Sequence, residues 1–99
     1  MDSKREIVWL NEAKEEFRDA IHYLSRSSVR YAEEWVDTFD RKLALIASFP
    51  EMGRIVPEKQ LKLYREILVG KYRVLYIYLH DKITIVAVRH SASNLDRLL

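Results

Sequence analysis

The 99-residue chain contains no cysteine and only two glycines and two prolines. Without cysteine, it can form neither disulfide bonds nor zinc sites with thiolate ligands. Hydrophobic residues make up 48% of the chain and charged residues 32%, which is typical of a folded domain rather than of a disordered segment. A chain of this length suffices for one domain and not for two. We therefore expect residues 1–99 to form a single domain.

Several other sequence features are missing. No stretch approaches the roughly 18 apolar residues of a membrane span, and the charged N-terminal segment lacks the apolar core of a signal peptide, so we expect a cytoplasmic protein. There is no phosphate-binding glycine loop and no nucleophile elbow. The three histidines do not have the spacing of metal ligands. We expect neither a cofactor nor a metal.

The first half of the chain has a helical pattern. Residues 6–10 are rich in strand formers, and Asn11 is a good N-cap. Apolar residues then recur every three or four positions as far as Leu24, which predicts an amphipathic helix. Ser27 or Ser28 can cap a second helix, which Pro50 ends. Two helices joined by so short a link predict an antiparallel hairpin.

The second half alternates with a period of two, which is typical of strands. We predict strands at 63–69, 72–80 and 83–90, with two-residue turns at 70–71 and 81–82. Counting from these turns, Leu68 faces Arg73, and Arg73 faces His90. The predicted fold is α+β: a two-helix antiparallel hairpin packed on a four-stranded, mainly antiparallel sheet, in the order β-α-α-β-β-β.

The helical hairpin can cover only one face of this sheet. The other face would expose a large apolar patch, which soluble monomers rarely tolerate. The sequence leaves two alternatives for what covers this patch. One is a partner, either a second copy or another chain, and the other is the chain's own C-terminal tail with Leu95, Leu98 and Leu99.

Four segments together have a familiar order and spacing: ExxxxFxxAIxYL at 12–24, FPEMGR at 49–54, YREILVGKYRVLYIY at 64–78 and VRH at 88–90. They resemble the ParE/RelE superfamily, the toxin halves of type II toxin–antitoxin modules, which include plasmid-stabilisation modules. In these toxins the C-terminal segment of an antitoxin wraps the sheet surface that the helices leave open. The resemblance thus implies an antitoxin-binding surface made of Tyr64, Glu66, Leu68, Arg73, Leu75, Ile77, Val86 and Val88.

The net charge of +2 suits an acidic antitoxin tail. The resemblance is also compatible with a homodimer or a heterotetramer with antitoxin.

The superfamily divides by target. RelE-like members cut mRNA on the ribosome with basic residues and a tyrosine near the C-terminus, whereas ParE-like members inhibit DNA gyrase. No tyrosine follows Tyr78 here, and the ending VRHSASNL is similar to the ParE branch, although an arginine-rich segment common there is missing. The leading prediction is a non-enzymatic gyrase inhibitor neutralised by its cognate antitoxin. Its expected target contacts are the helical hairpin and Arg89, His90, Ser91, Asn94 and Arg97.

Two alternatives remain. In a RelE-like mRNA endonuclease, Arg73 would stabilise the phosphate and His90 would move a proton. This pair lacks a second proton-transfer group, so an ion pair and a structural histidine are the simpler interpretation. The other alternative is a degenerate toxin that only binds its antitoxin. The strand tyrosines, which could stack on bases, are more simply read as sheet packing.

Overall fold

The computed structural model describes residues 4–57 and 63–92. Within these ranges the chain forms two helices and five strands: β1 (Glu6–Trp9), α1 (Asn11–Ser25), α2 (Val29–Ser48), β2 (Arg54–Ile55), β3 (Tyr64–Val69), β4 (Tyr72–Leu79) and β5 (Lys82–His90). The strands make one sheet in the order β1-β5-β4-β3-β2. All neighbours are antiparallel except β1 and β5. The predicted α+β fold is confirmed, but the prediction of four strands is wrong.

The extra strand, β2, escaped prediction because it is too short to show a period. Its two residues pair with β3, Arg54 opposite Glu66 and Ile55 opposite Arg65. The neighbouring Gly53 passes close to β4. A Cβ there would lie 2.8 Å from Cε1 of Tyr76 and 2.9 Å from the carbonyl oxygen of Glu66. Only glycine therefore lets the loop approach the sheet at this point.

One of the two predicted helix caps is present. The Ser28 hydroxyl accepts a hydrogen bond from the Tyr31 N–H at 3.0 Å and starts α2. At α1 the prediction of Asn11 as the cap is wrong. Leu10 occupies that position, and its apolar side chain makes no capping bond. Its N–H bonds to the Ile85 carbonyl at 3.0 Å. Hydrogen bonding to β5 therefore continues to Leu10, the last residue before the helix.

The main core lies between the helices and the sheet and is rich in aromatic residues. Phe17 and Phe39 lie 4.6 Å apart by ring centroid, and Trp35 lies 5.3 Å from Phe39 and 5.3 Å from Tyr72. The Trp35 indole N–H donates to the Val69 carbonyl at 2.9 Å. This bond satisfies the one polar group of a nearly fully buried side chain and fixes α2 to the end of β3.

The first hairpin has the predicted register, with Leu68 opposite Arg73. The second does not. Its turn is at His80 and Asp81, both with positive φ, which two-residue turns of type I′ require and aspartate tolerates. The Asp81 carboxylate also accepts hydrogen bonds from the Tyr78 hydroxyl and the Arg5 guanidinium, at 3.1 and 3.2 Å. The predicted turn at 81–82 is therefore wrong by one residue.

A β-bulge then changes which face the end of β5 presents. The register shifts between Leu75 and Tyr76, leaving Val86 without a partner. Beyond it, Arg89 lies opposite Arg73 and His90 lies opposite Tyr72. A bulge adds one residue to one strand, so the alternation predicted for 86–90 is reversed for the last residues of the strand.

We call the sheet face turned away from the helices the open face. Its centre is partly covered by the chain itself. Val56, directly after β2, packs with Leu75 and Ala87, and all three are buried; Tyr64 packs against them. The loop after α2 therefore provides part of the cover that was expected from a partner or the C-terminal tail. That tail lies outside the described residues.

Candidate functional site

A line of charged residues crosses the open face and ends on α1. We call it the charged row: Arg54 on β2, Glu66 on β3, Arg73 on β4, Arg89 on β5 and Glu16 on α1. Each member comes from a different element. The cross-strand register brings Arg54 opposite Glu66 and Arg73 opposite Arg89.

Glu66 is the most deeply buried member of the row. Its side chain has no exposed surface, and that of Arg73 is 7% exposed. One carboxylate oxygen of Glu66 accepts from Nε of Arg73 at 2.6 Å, and the other binds Arg54. Burying a charge is costly unless it is paired and hydrogen-bonded. The Glu66 carboxylate meets that condition with two guanidinium groups.

Arg89 has a carboxylate of its own. Glu16 accepts from Nε of Arg89 at 2.6 Å and from the backbone N–H of Val88 at 2.8 Å. Two arginines opposite each other on neighbouring strands repel. Here Glu66 neutralises Arg73 and Glu16 neutralises Arg89, so the row tolerates this arrangement.

The predicted nuclease pair of Arg73 and His90 is not assembled. Arg73 shares the open face with Arg89, and successive strand residues point to opposite faces. His90 therefore lies on the helix side, where its ring is 5.4 Å from Tyr72 by centroid. The bulge at Val86 is the physical reason for this correction.

The predicted antitoxin surface is only partly accessible. Glu66, Arg73 and Leu75 are buried within the molecule, and Val88 packs in the main core on the helix side. These four therefore offer no accessible surface within the molecule: Val56 packs on Leu75, Glu66 is paired with Arg54 and Arg73, and the bulge turns Val88 inward. Leu68 is 49% exposed. The remaining predicted residues are partly exposed: Tyr64, Ile77 and Val86.

The predicted target contacts are separated by the sheet. Arg89 is held by Glu16 on the open face, and His90 lies on the helix side. Ser91 is exposed, and its N–H bonds to the Lys71 carbonyl at 2.8 Å. Asn94 and Arg97 lie outside the described residues.

Sequence reasoning missed the two residues that complete the row, Arg54 and Glu16. The sequence contained a signal for a partner such as Arg54, since Glu66 lies within a largely apolar strand and buried carboxylates need partners. For Glu16 there was none, because the helical pattern places it on a polar side. It reaches β5 only because β1 ends early and leaves the Val88 N–H unpaired by a strand.

Neither a metal cluster nor a membrane helix is found in residues 4–57 and 63–92. These residues contain no group of three or more metal-binding side chains. Nor does a helix in these ranges have both the length and the apolarity needed to cross a membrane.

The fold is similar to those of two solved toxin–antitoxin structures. One is the chromosomal ParDE system from P. aeruginosa, with a TM-score of 0.67 at 15% identity, covering 88% of this chain and 96% of that one. The other is the RelBE2 toxin–antitoxin complex from Mycobacterium tuberculosis, with a TM-score of 0.58 at 16% identity, covering 94% and 100%. No curated protein sequence matches the chain. At these identities, the likeness establishes the toxin-type fold alone.

The family follows from the sequence itself. The model of the ParE toxin of type II toxin–antitoxin systems, parDE, matches residues 7–95, which is most of the chain. The chain therefore belongs to the ParE toxin family. The resemblance inferred from the four sequence segments is confirmed.

Proposed function

We propose that this chain is a toxin that inhibits DNA gyrase and is neutralised by a cognate antitoxin with an acidic tail. The observation that carries the choice of target is the separation of Arg73 from His90. General acid–base cleavage of RNA needs its groups around one phosphate, and these two side chains lie on opposite faces of the sheet. Arg73 is in addition neutralised by Glu66.

The proposed antitoxin contact is the accessible part of the open face, around Leu68. An extended segment there would cover exposed apolar side chains, and the net positive charge of the chain favours an acidic partner. The proposed gyrase contacts are the helical hairpin and the end of β5, including Ser91.

The first experiment compares two syntheses in a bacterium after induction of this chain alone. We expect thymidine incorporation to stop before methionine incorporation, with DNA-damage signalling. Purified gyrase should then form stabilised cleavage complexes with the purified chain. An earlier fall in methionine incorporation would instead support action on translation. No effect on either synthesis, from a chain that folds and binds its antitoxin, would support the degenerate toxin.

A matched variant separates gyrase inhibition from mRNA cleavage. Arg73→Ala alone would leave Glu66 with one buried partner fewer, so lost toxicity could reflect unfolding. The double variant Glu66→Leu/Arg73→Leu removes both buried charges at once, and such replacements are often neutral for stability. We expect it to remain toxic. Loss of toxicity in a variant that still unfolds cooperatively would favour the nuclease.

A further inference from the structure

A cavity on the helix side lies at the end of the helical hairpin. It has a volume of about 340 Å³ and is lined by residues from four segments: Tyr23, Leu24, Ser27, Tyr31, Lys71, Tyr72 and His90. Ligand sites in proteins start at roughly 300 Å³, so a ligand of small size fits. The charged row, by contrast, runs along the open face and reaches the helices only at Glu16.

The lining combines aromatic rings with hydrogen-bond donors. Three of its members are tyrosines, and none of the described residues in the lining is acidic. Tyr23 and Tyr31 are 60% and 45% exposed, so their rings are accessible to a ligand. Burial raises the pKa of Tyr72, and Tyr23 and Tyr31 raise it further. The Tyr72 hydroxyl therefore stays a neutral donor at neutral pH.

The turn between β3 and β4 places the one lysine of the cavity. Gly70 has a φ of +58°, and Tyr31 Oη lies 3.3 Å from where its Cβ would be. A side chain at Gly70 would thus crowd the ring. Glycine lets Tyr31 lie over the turn, and the next residue, Lys71, is part of the lining.

The histidine of the cavity is held in one tautomer when it is neutral. Nδ1 of His90 accepts a hydrogen bond from the Ala92 N–H at 3.2 Å. The ring proton is then on Nε2, which can donate. Together with Lys71 and Ser27, the lining offers donors to an anion and rings to a flat group.

We propose that this cavity binds a nucleoside phosphate. The base would stack on the accessible tyrosine rings, as bases do on aromatic side chains, and the phosphate would accept hydrogen bonds from Lys71 and its neighbours. The same unit occurs in a free nucleotide and within a single-stranded nucleic acid. The proposal does not depend on which target the toxin inhibits.

The test is a titration of the full-length, isotope-labelled chain with AMP, followed by the amide NMR signals. We expect saturable shifts centred on Tyr31, Lys71 and His90, with adenosine and inorganic phosphate each binding more weakly. A short single-stranded oligonucleotide provides the second arm. Tighter binding of the oligonucleotide than of AMP identifies a nucleic-acid unit as the ligand, and equal or tighter binding of AMP identifies a free nucleotide.

Two variants and one control locate the site. Lys71→Ala removes the charge and Tyr23→Ala removes an exposed ring; each should weaken AMP binding by about tenfold. Lys14→Ala is the control, since Lys14 lies beside Trp9 and Phe17 in a separate cavity and its loss should leave binding unchanged. Dispersed spectra show that each variant is folded. The proposal is overturned by absence of saturable shifts, by equal weakening in Lys14→Ala, or by shifts of the cavity residues with an acidic peptide and not with AMP.

Discussion

At the scale of single residues, loss of Glu66 should strongly reduce stability. Replacing it with alanine would remove the Glu66 carboxylate from the buried Arg73, and breaking a buried ion pair typically costs about 3–5 kcal/mol. Urea unfolding of the variant and the parent measures this difference. The direction follows from burial, because both side chains lie almost completely out of solvent.

Arg54 provides the matched control for that prediction. It binds the same carboxylate but is 65% exposed, and exposed ion pairs contribute about 0–1 kcal/mol. Arg54→Ala should therefore shift the unfolding free energy only slightly. Equal losses in the two variants would mean that burial does not set the cost.

Tyr76 is a second residue with a buried polar role. Its hydroxyl donates to the Pro50 carbonyl at 2.8 Å and accepts from the Gly53 N–H at 3.0 Å. Tyr76→Phe leaves both groups unpaired and should cost about 1–3 kcal/mol. Tyr78→Phe is the comparison. The Tyr78 hydroxyl bonds to Asp81 at an exposed turn, so this variant should lose less free energy of unfolding.

The same hydroxyl predicts a pH dependence. Burial raises the pKa of Tyr76, against smaller opposing effects of the Gly53 N–H and Arg65. The unfolded chain therefore releases this proton first, near pH 10. The contribution to stability is complete below about pH 10 and is lost as the pH rises above it. Between neutral and alkaline pH, the free energy of unfolding should therefore fall less steeply in Tyr76→Phe than in the parent. An unchanged slope would contradict the prediction.

At the scale of elements, the C-terminal half of β5 depends on a side chain from α1. Glu16 accepts a hydrogen bond from the Val88 N–H, on the side of β5 where β1 no longer pairs with it. Glu16→Ala should increase hydrogen exchange at Val88 by roughly 5–30-fold, as expected for a loss of 1–2 kcal/mol. Exchange at Ile83 and Ile85, where β1 pairs with β5, should change little.

Glu15→Ala tests whether Glu16 acts through its position rather than through helix charge. Glu15 is the preceding residue and is exposed, and its replacement by alanine removes the same charge from the helix. If it accelerated exchange at Val88 as much as Glu16→Ala, the edge contact would not be the cause.

The elements also differ in how far the sequence determined them. Periodicity predicted both helices and the three long strands, and the Gly70 turn fixed the register of the first hairpin. The second register was wrong because His80 and Asp81 adopt positive φ, which neither residue type requires. The bulge at Val86 has no pattern of its own, since Ile85, Val86 and Val88 are all strand formers. The predicted pairing of Arg73 with His90 was wrong for the same reason. The charged row could not be predicted because one of its members lies on β2, which is only two residues long.

At the scale of the whole molecule, the binding surface for an antitoxin should be separable from stability. Leu68 is 49% exposed on the open face, so Leu68→Ser should leave the unfolding free energy within about 0.5 kcal/mol. We expect it to weaken binding of the cognate antitoxin by about tenfold, because the proposed contact around Leu68 loses its apolar side chain. Calorimetric titration measures both affinities.

Tyr23→Ser is the control for that experiment. It also removes an exposed large side chain, but on the helix side. Antitoxin binding that weakened equally in both variants would place the contact around the hairpin rather than on the open face.

The charged row also has a consequence for how the family diverges. Its five members come from five elements. If any one of them changed the sign of its charge, it would face a neighbour of like charge. A change from glutamate to a neutral or basic residue at position 66 is tolerable only when the buried arginine at position 73 changes with it, and position 16 is tied to position 89 by the ion pair between them. Among relatives, these positions should therefore be inherited as linked groups, with intermediates rare.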